Sequence, residues 1–132
     1  RGGGGGADPR PNFSAYATAK TAVVRFAETI AEQVPEHNIN INLLSPGGSY
    51  THMTDQILSA GSNAGRKESE EALQIRITGG ITPEKQIELA LFLASEDSNH
   101  ISGKLVHVTD DWRRLEQAKV SREIYTLRRT KS

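Results

Sequence analysis

Apolar residues in the first third of the chain recur at helical spacing. Val23, Phe26, Ala27, Ile30 and Val34 fall three and four residues apart, which puts them on one stripe of a helix running from Tyr16 to about Val34. Arg25, Glu28 and Glu32 lie off that stripe, and the small residues Ala15, Ala17, Ala19 and Ala22 crowd its first turns, where a neighbouring element can come close. Ser14 or Asn12 is placed to cap the helix, because either side-chain oxygen can accept from the open N–H groups of a first turn. The period then changes. Polar Asn38, Asn40 and Asn42 alternate with apolar Ile39, Ile41 and Leu43, which predicts a half-buried strand over 38–44. Pro46 ends it, since proline cannot donate a ladder hydrogen bond.

From His52 to Ile77 the pattern reads as helical pieces around a polar break, Gly61 to Gly65. Met53, Ile57 and Leu58 in this stretch suit either ordinary amphipathic packing or the lining of an acyl or aromatic pocket. Thr82, Pro83 and Glu84 then mark a helix start: proline fits a first turn and a carboxylate meets the positive helix end. Residues 1–12 are loop by composition, with a glycine run from Gly2 to Gly6 followed by Pro9 and Pro11. The basic stretch 113–132 carries a thin apolar stripe, Leu115, Ala118, Ile124 and Leu127, that could form a helix against a partner. A solvated tail is the favoured reading of it.

Composition narrows the function classes. Lysine plus arginine and aspartate plus glutamate each number 16, so the formal net charge is zero, which argues against nucleic acid or an anionic membrane as partner. Apolar runs are too short to span a bilayer and no basic-then-apolar leader opens the chain, leaving the cytoplasm as default compartment. Absence of cysteine excludes disulfides, thiolate catalysis and cysteine-ligated metals. His37, His52, His100 and His107 fall in separate elements without metal-ligand spacing, so no metal site is expected. At 132 residues the chain suits one small domain. Two strands with helices would leave a sheet edge open and an apolar helix face uncovered, so further chain or a partner subunit is expected to complete the core.

The strongest chemical signal is Tyr16 with Lys20, four residues apart on one helix face. A phenol, with a reference pKa of about 10, is a poor acid or base at neutral pH, and a neighbouring ammonium favours its anion. That pairing is what a proton-transferring tyrosine needs. Ser45-Pro46-Gly47-Gly48-Ser49-Tyr50-Thr51 follows the expected strand, and glycines there let backbone pass close to a ligand or simply make a turn.

Tyr-x-x-x-Lys, Pro-Gly-x-x-x-Thr and Ser102-Gly103-Lys104, in this order and at these separations, resemble the second half of a short-chain dehydrogenase/reductase over about Gly2 to Trp112. The resemblance implies an α/β fold, the C-terminal half of a doubly wound Rossmann-type domain with an incomplete sheet. Its order would be helix, strand, helical lid, a helix from Ile87 to Ala94, and a strand from Ile101 to Val106, the two strands adjacent and parallel. It also implies hydride transfer between NAD or NADP and a carbonyl or secondary alcohol. Tyr16 would act as acid and base, and Lys20 would tune the phenol and bond the nicotinamide ribose. Pro46, Gly47, Gly48, Ser49 and Thr51 would hold the nicotinamide end. A homo-oligomer through the Tyr16 helix is a further family trait.

Three family features are missing. The glycine-rich turn for the cofactor pyrophosphate follows a strand and opens a helix, whereas Gly2 to Gly6 runs into Asp8-Pro9-Arg10-Pro11. The family's substrate-holding serine stands where this chain has Gly3 and Gly2, and its last glycine-rich loop is replaced by Thr109-Asp110-Asp111-Trp112. Binding of a dinucleotide by this chain alone is therefore expected to be weak. Two hypotheses follow: residues 1–112 are the catalytic half of an oxidoreductase, inactive without its nucleotide-binding half, or the chain is a non-catalytic truncated relative serving as an interaction or dimerisation module.

Overall fold

A helix free of internal glycine and proline, α1 (Ser14–Gln33), is the first of the described helices. The computed structural model describes residues 8–116, 120–121 and 123–127; the glycine run Gly2 to Gly6 and Ala118 lie outside them. Phe13 occupies the N-cap position of α1 without a side-chain cap bond, so neither Ser14 nor Asn12 caps it. Asn12 instead takes a left-handed φ of 68°, a conformation asparagine tolerates better than most residues.

The inward face of α1 is not the expected stripe. Val24, Ala27 and Glu28 are buried, while Val23 and Phe26 are 50% and 67% exposed. The cause is a polar clamp from the far end of the chain. Glu28, only 5% exposed, accepts from the Leu127 N–H at 3.1 Å and pairs with Arg25, whose guanidinium also donates to the Leu127 carbonyl at 2.7 Å. Turning that edge of the helix inward swings Val23 and Phe26 outward.

Two short strands, β1 (Leu43–Ser45) and β2 (Leu105–His107), pair in parallel with Leu43 opposite Leu105, Leu44 opposite Val106 and Ser45 opposite His107. They form the incomplete sheet of a Rossmann-type α/β fold. β1 is shorter than the alternation predicts: Asn38 ends the preceding 3-10 turn in a left-handed conformation, and Asn40 and Asn42 bond across to the neighbouring segment. Asn42 donates to the Ile101 carbonyl at 2.8 Å and accepts from the Lys104 N–H, and Asn40 donates to Asn99. Backbone pairing nonetheless begins at Ile41, whose carbonyl accepts from Gly103 at 2.7 Å.

Three helices join the strands. α2 (His52–Ala60) and α3 (Arg66–Thr78) form a helical pair around the break at Gly61–Ala64, and α4 (Pro83–Ala94) runs back toward β2. Leu89 and Phe92 of α4 enter the main core with Ile101, Val106, Val108, Trp112 and Leu115. The Phe92 and Trp112 rings stack at 5.0 Å between centroids. A second cluster lies under α2 and α3, where Ile57, Ala64 and Ala72 meet Phe13, Met53 and Leu58. Arg10 fastens this pair of helices to the lead-in of α1, its Nη1 lying 2.6 and 2.7 Å from the Glu68 carboxylate oxygens.

In the described part of the tail, Tyr125, Thr126 and Leu127 are half-buried, while Ser121, Glu123 and Ile124 are exposed. After a short 3-10 turn at Trp112–Glu116, the described residues 120–121 and 123–127 lie against β2 as a strap. Lys104 is 6% exposed, and its ammonium donates to the Ser121 and Ile124 carbonyls at 2.7 and 3.0 Å. Leu105 N–H donates to the Tyr125 carbonyl at 2.8 Å. A buried lysine needs such acceptors, and the strap supplies them. Among the described residues no helix is long and apolar enough to cross a membrane.

Candidate active site

Tyr16 and Lys20 lie in the first two turns of α1, both partly buried. The Lys20 ammonium stands 5.5 Å from the Tyr16 ring centroid. Phe13 meets the same ring edge-on at 6.4 Å and also packs on the α2–α3 cluster, so the helical lid reaches the tyrosine through one side chain. The pairing is local, set by helix pitch alone.

The second component is the turn after β1. Gly47 adopts a φ of +72°, and an added Cβ would lie 2.8 Å from Ile81 Cγ1, so both backbone and space require glycine. Gly48 serves another purpose. A Cβ there would lie 2.5 Å from Ile75 Cδ1 of α3, so this glycine makes room for the lid. Ser49 then forms an antiparallel bridge with Gly80, flanked by Tyr50 N–H to the Gly79 carbonyl at 3.2 Å and Ile81 N–H to the Gly48 carbonyl at 2.8 Å. Thr51 occupies the N-cap position of α2, where Thr54 Oγ1 accepts its N–H at 3.1 Å.

These residues border a cavity of about 190 Å³ lined by Pro46, Gly47, Ser49, Thr51, Met53, Thr54 and Gln86. Pro46, Gly47, Ser49 and Thr51 thus converge on one cleft, whereas Tyr16, Lys20 and Gly48 are not among its lining. Met53 faces the cavity, while Ile57 is committed to the lid cluster. The cleft opens beside the C-terminal ends of β1 and β2, the edge at which open α/β sheets hold ligands. Its hydroxyls, amide and thioether suit a small flat polar group. Among the described residues no lysine or arginine lines it, so those residues alone do not suit a phosphate. Such a donor set fits the nicotinamide end of a dinucleotide and leaves the pyrophosphate to other residues.

Gln86 escapes sequence reasoning. A lone amide beside Glu84 and Lys85 reads as solvated helix surface, yet its Nε2 lies 2.9 Å from the Pro46 carbonyl and 2.6 Å from Ser49 Oγ. Where the family's last glycine-rich loop was expected, Asp110 closes the turn after β2, accepting the His107 N–H at 2.7 Å while its own N–H meets the His107 carbonyl at 2.9 Å. Tyr50, next to Thr51, donates to both Asp55 carboxylate oxygens at 2.8 and 2.9 Å. That hydrogen bond to Asp55 raises the Tyr50 phenol above its ordinary value.

Residues 5–110 match the family described as enoyl-(acyl carrier protein) reductase. The chain is 32% identical over 94 residues to a short-chain reductase of Streptomyces niveus, covering 70% of this chain and 36% of that one. Human dehydrogenase/reductase SDR family member 4 is 35% identical over 101 residues, 76% of this chain and 34% of the relative. The 3-oxoacyl-(acyl-carrier-protein) reductase of Haemophilus influenzae is 33% identical over 104 residues, 78% of this chain and 40% of the relative. The chain therefore spans between a third and two fifths of the length of these curated relatives. Parallel β1 and β2 around a helical lid, Tyr-x-x-x-Lys on α1, and a family match over most of the sequence lead to one assignment: the chain belongs to the short-chain dehydrogenase/reductase family.

Proposed function

We propose that this chain is the nicotinamide- and substrate-side half of an oxidoreductase that moves hydride between NAD or NADP and a carbonyl or secondary alcohol. The observation that carries the reading is the convergence of Pro46, Gly47, Ser49 and Thr51 on one cleft at the strand ends. When bound, a dinucleotide would supply hydride in reduction and accept it in oxidation. Around it, Pro46, Gly47, Ser49 and Thr51 would orient the carboxamide-bearing ring, and Lys20 would hold the ribose. Tyr16 gives a proton to the carbonyl oxygen in reduction and takes it back in oxidation, while the Lys20 ammonium stabilises charge on the phenol oxygen as the proton moves.

Calorimetric titration with NADH and NADPH tests the half-site reading. The isolated chain is expected to bind weakly or not at all, because the described residues contain no glycine-rich strand-to-helix turn for the pyrophosphate. Micromolar binding would overturn it. In protein completed with a nucleotide-binding half, Tyr16→Phe is expected to lower turnover at least ~100-fold with cofactor affinity changed only a few fold. Lys20→Ala is expected to damage both. A Phe variant retaining more than about a tenth of parent turnover would remove Tyr16 from the mechanism.

One observation favours the second reading, an interaction or dimerisation module. Val23 and Phe26 stand 50% and 67% exposed on the Tyr16 helix, an apolar face suited to a second copy of the chain. Sedimentation of the parent chain is expected to show a dimer that Phe26→Glu dissociates. A parent that sediments as a monomer at high concentration would dismiss this reading without touching the first.

A further inference from the structure

The turn that lines the cleft is held from outside, by a side chain on another element. Gln86 stands in the first turn of α4, and its amide nitrogen has two protons to give. One reaches the Pro46 carbonyl at 2.9 Å and the other Ser49 Oγ at 2.6 Å. Ser49 Oγ then donates to the Ile81 carbonyl at 3.0 Å. Donor direction is fixed along the whole path, from Gln86 to Ser49 to Ile81. The path closes on itself, because the Ile81 N–H bonds the Gly48 carbonyl at 2.8 Å across the Ser49–Gly80 bridge. An added Cβ at Gly80 would lie 2.1 Å from that carbonyl oxygen, so the two strands of the bridge are pressed together. Gln86 itself also lines the cavity, and among the described residues its side-chain carbonyl oxygen accepts no hydrogen bond.

We infer that Gln86 is a positioning residue of the cleft: it fixes the Pro46–Ser49 turn and the Ser49 hydroxyl, so that the surface facing the ligand is preformed. The identity of the ligand rests on the function proposed above; the state of the turn does not. Proline at position 46 brings a carbonyl but no N–H, and Gln86 meets that carbonyl from the side. An apolar residue at position 86 would leave the Pro46 carbonyl and the Ser49 hydroxyl without this donor, in a partly buried setting. A preformed turn also spares the ligand the ordering cost of making one.

Amide hydrogen exchange, followed by NMR on the full 132-residue chain, tests the inference at Tyr50 and Ile81, whose N–H groups span the bridge. Gln86→Leu is expected to speed exchange at both about tenfold, the order set by losing one or two hydrogen bonds in a local opening. The Leu43 and Val108 amides, which bond across the sheet, are expected to stay within about twofold. Gln86→Glu offers only acceptors and should match or exceed the leucine variant. Gln86→Lys keeps a donor of similar reach and should return both amides to within about threefold of the parent. Unchanged exchange at Tyr50 and Ile81 in the leucine variant, or acceleration spread equally over Leu43 and Val108, overturns the positioning role. Nicotinamide mononucleotide added to the same samples separates the two claims. Shifts at Gly47 to Thr51 in the parent, reduced about tenfold in apparent affinity by Gln86→Leu, support both. If the parent shows no shifts, as the weak binding expected of the isolated chain allows, the exchange rates alone decide the role of Gln86.

Discussion

The two hydrophobic clusters of this chain are built from different materials. On the sheet side, Leu89, Phe92, Ile101, Val106, Val108, Trp112 and Leu115 bring large apolar surfaces from α4, β2 and the segments around them. Under the lid, two of the three buried members, Ala64 and Ala72, are alanines, and closure depends on Phe13, Met53 and Leu58 at the margin. What the lid lacks in apolar area it replaces with charge. Arg10 and Glu68, with side chains 15% and 7% exposed, meet at 2.6 Å and bind the lid to the residues just before Tyr16. A sheet core held by area should resist ionic conditions, whereas a lid fastened by a buried ion pair should fail when either charge is removed.

The largest expected effect is therefore on the sheet side. Phe92→Ala removes a ring stacked on Trp112 from the middle of the main core and is expected to cost about 3–5 kcal/mol. Urea unfolding followed by fluorescence of the single tryptophan, Trp112, reports it directly. A loss below about 1 kcal/mol would mean that Phe92 is not central to this core.

Arg10→Ala comes next and is expected to act in a different place. Breaking a buried pair by removing one partner costs about 3–5 kcal/mol when burial is complete, and this pair retains some exposure on the arginine side, so about 2–3 kcal/mol is expected. Faster amide exchange confined to α2 and α3, with Trp112 fluorescence unchanged, would show that the lid opens separately. Replacing both partners by Arg10→Met and Glu68→Leu is expected to restore most of the loss, because the carboxylate is removed together with the guanidinium. If Arg10→Ala destabilised both clusters equally, the distinction between them would fall.

The same contrast explains which parts could be read from sequence. Helix, strand, lid, helix and strand follow one another in the expected order, because each depends on local periodicity and on Gly and Pro punctuation. Tyr16 with Lys20, and Pro46 through Thr51, are equally local. Features decided by distant residues stayed hidden. Glu28 rather than Phe26 turns inward because Leu127, about a hundred residues away, binds it. Gln86 reaches back 40 residues to Pro46, and Arg10 forward 58 to Glu68. The tail strap was missed for the same reason: a basic segment reads as solvated until Lys104 is seen to need its carbonyls. Alternation likewise predicted a longer β1, since asparagines bonding Ile101 and Lys104 follow the same pattern as asparagines facing water.

The smallest expected effect concerns the strap, which touches the sheet core through Val120 and Tyr125. Burial raises the Tyr125 phenol above its ordinary value, Asp110 and Asp111 raise it further, and Arg114 pulls it back. A phenol whose folded value is raised is neutral in the docked strap and ionises first in the detached one. Its contribution is complete below the unfolded value of about 10 and is lost as pH rises through the folded value. Urea midpoints of the parent should therefore fall more than those of Tyr125→Phe between roughly pH 9 and pH 11, by less than either core substitution costs. The comparison with the Phe variant removes the contributions of Tyr16 and Tyr50, which are present in both proteins. Parallel midpoint curves for the two proteins across that range would show that Tyr125 titrates as it does unfolded, and that its phenol adds nothing to the anchoring of the strap.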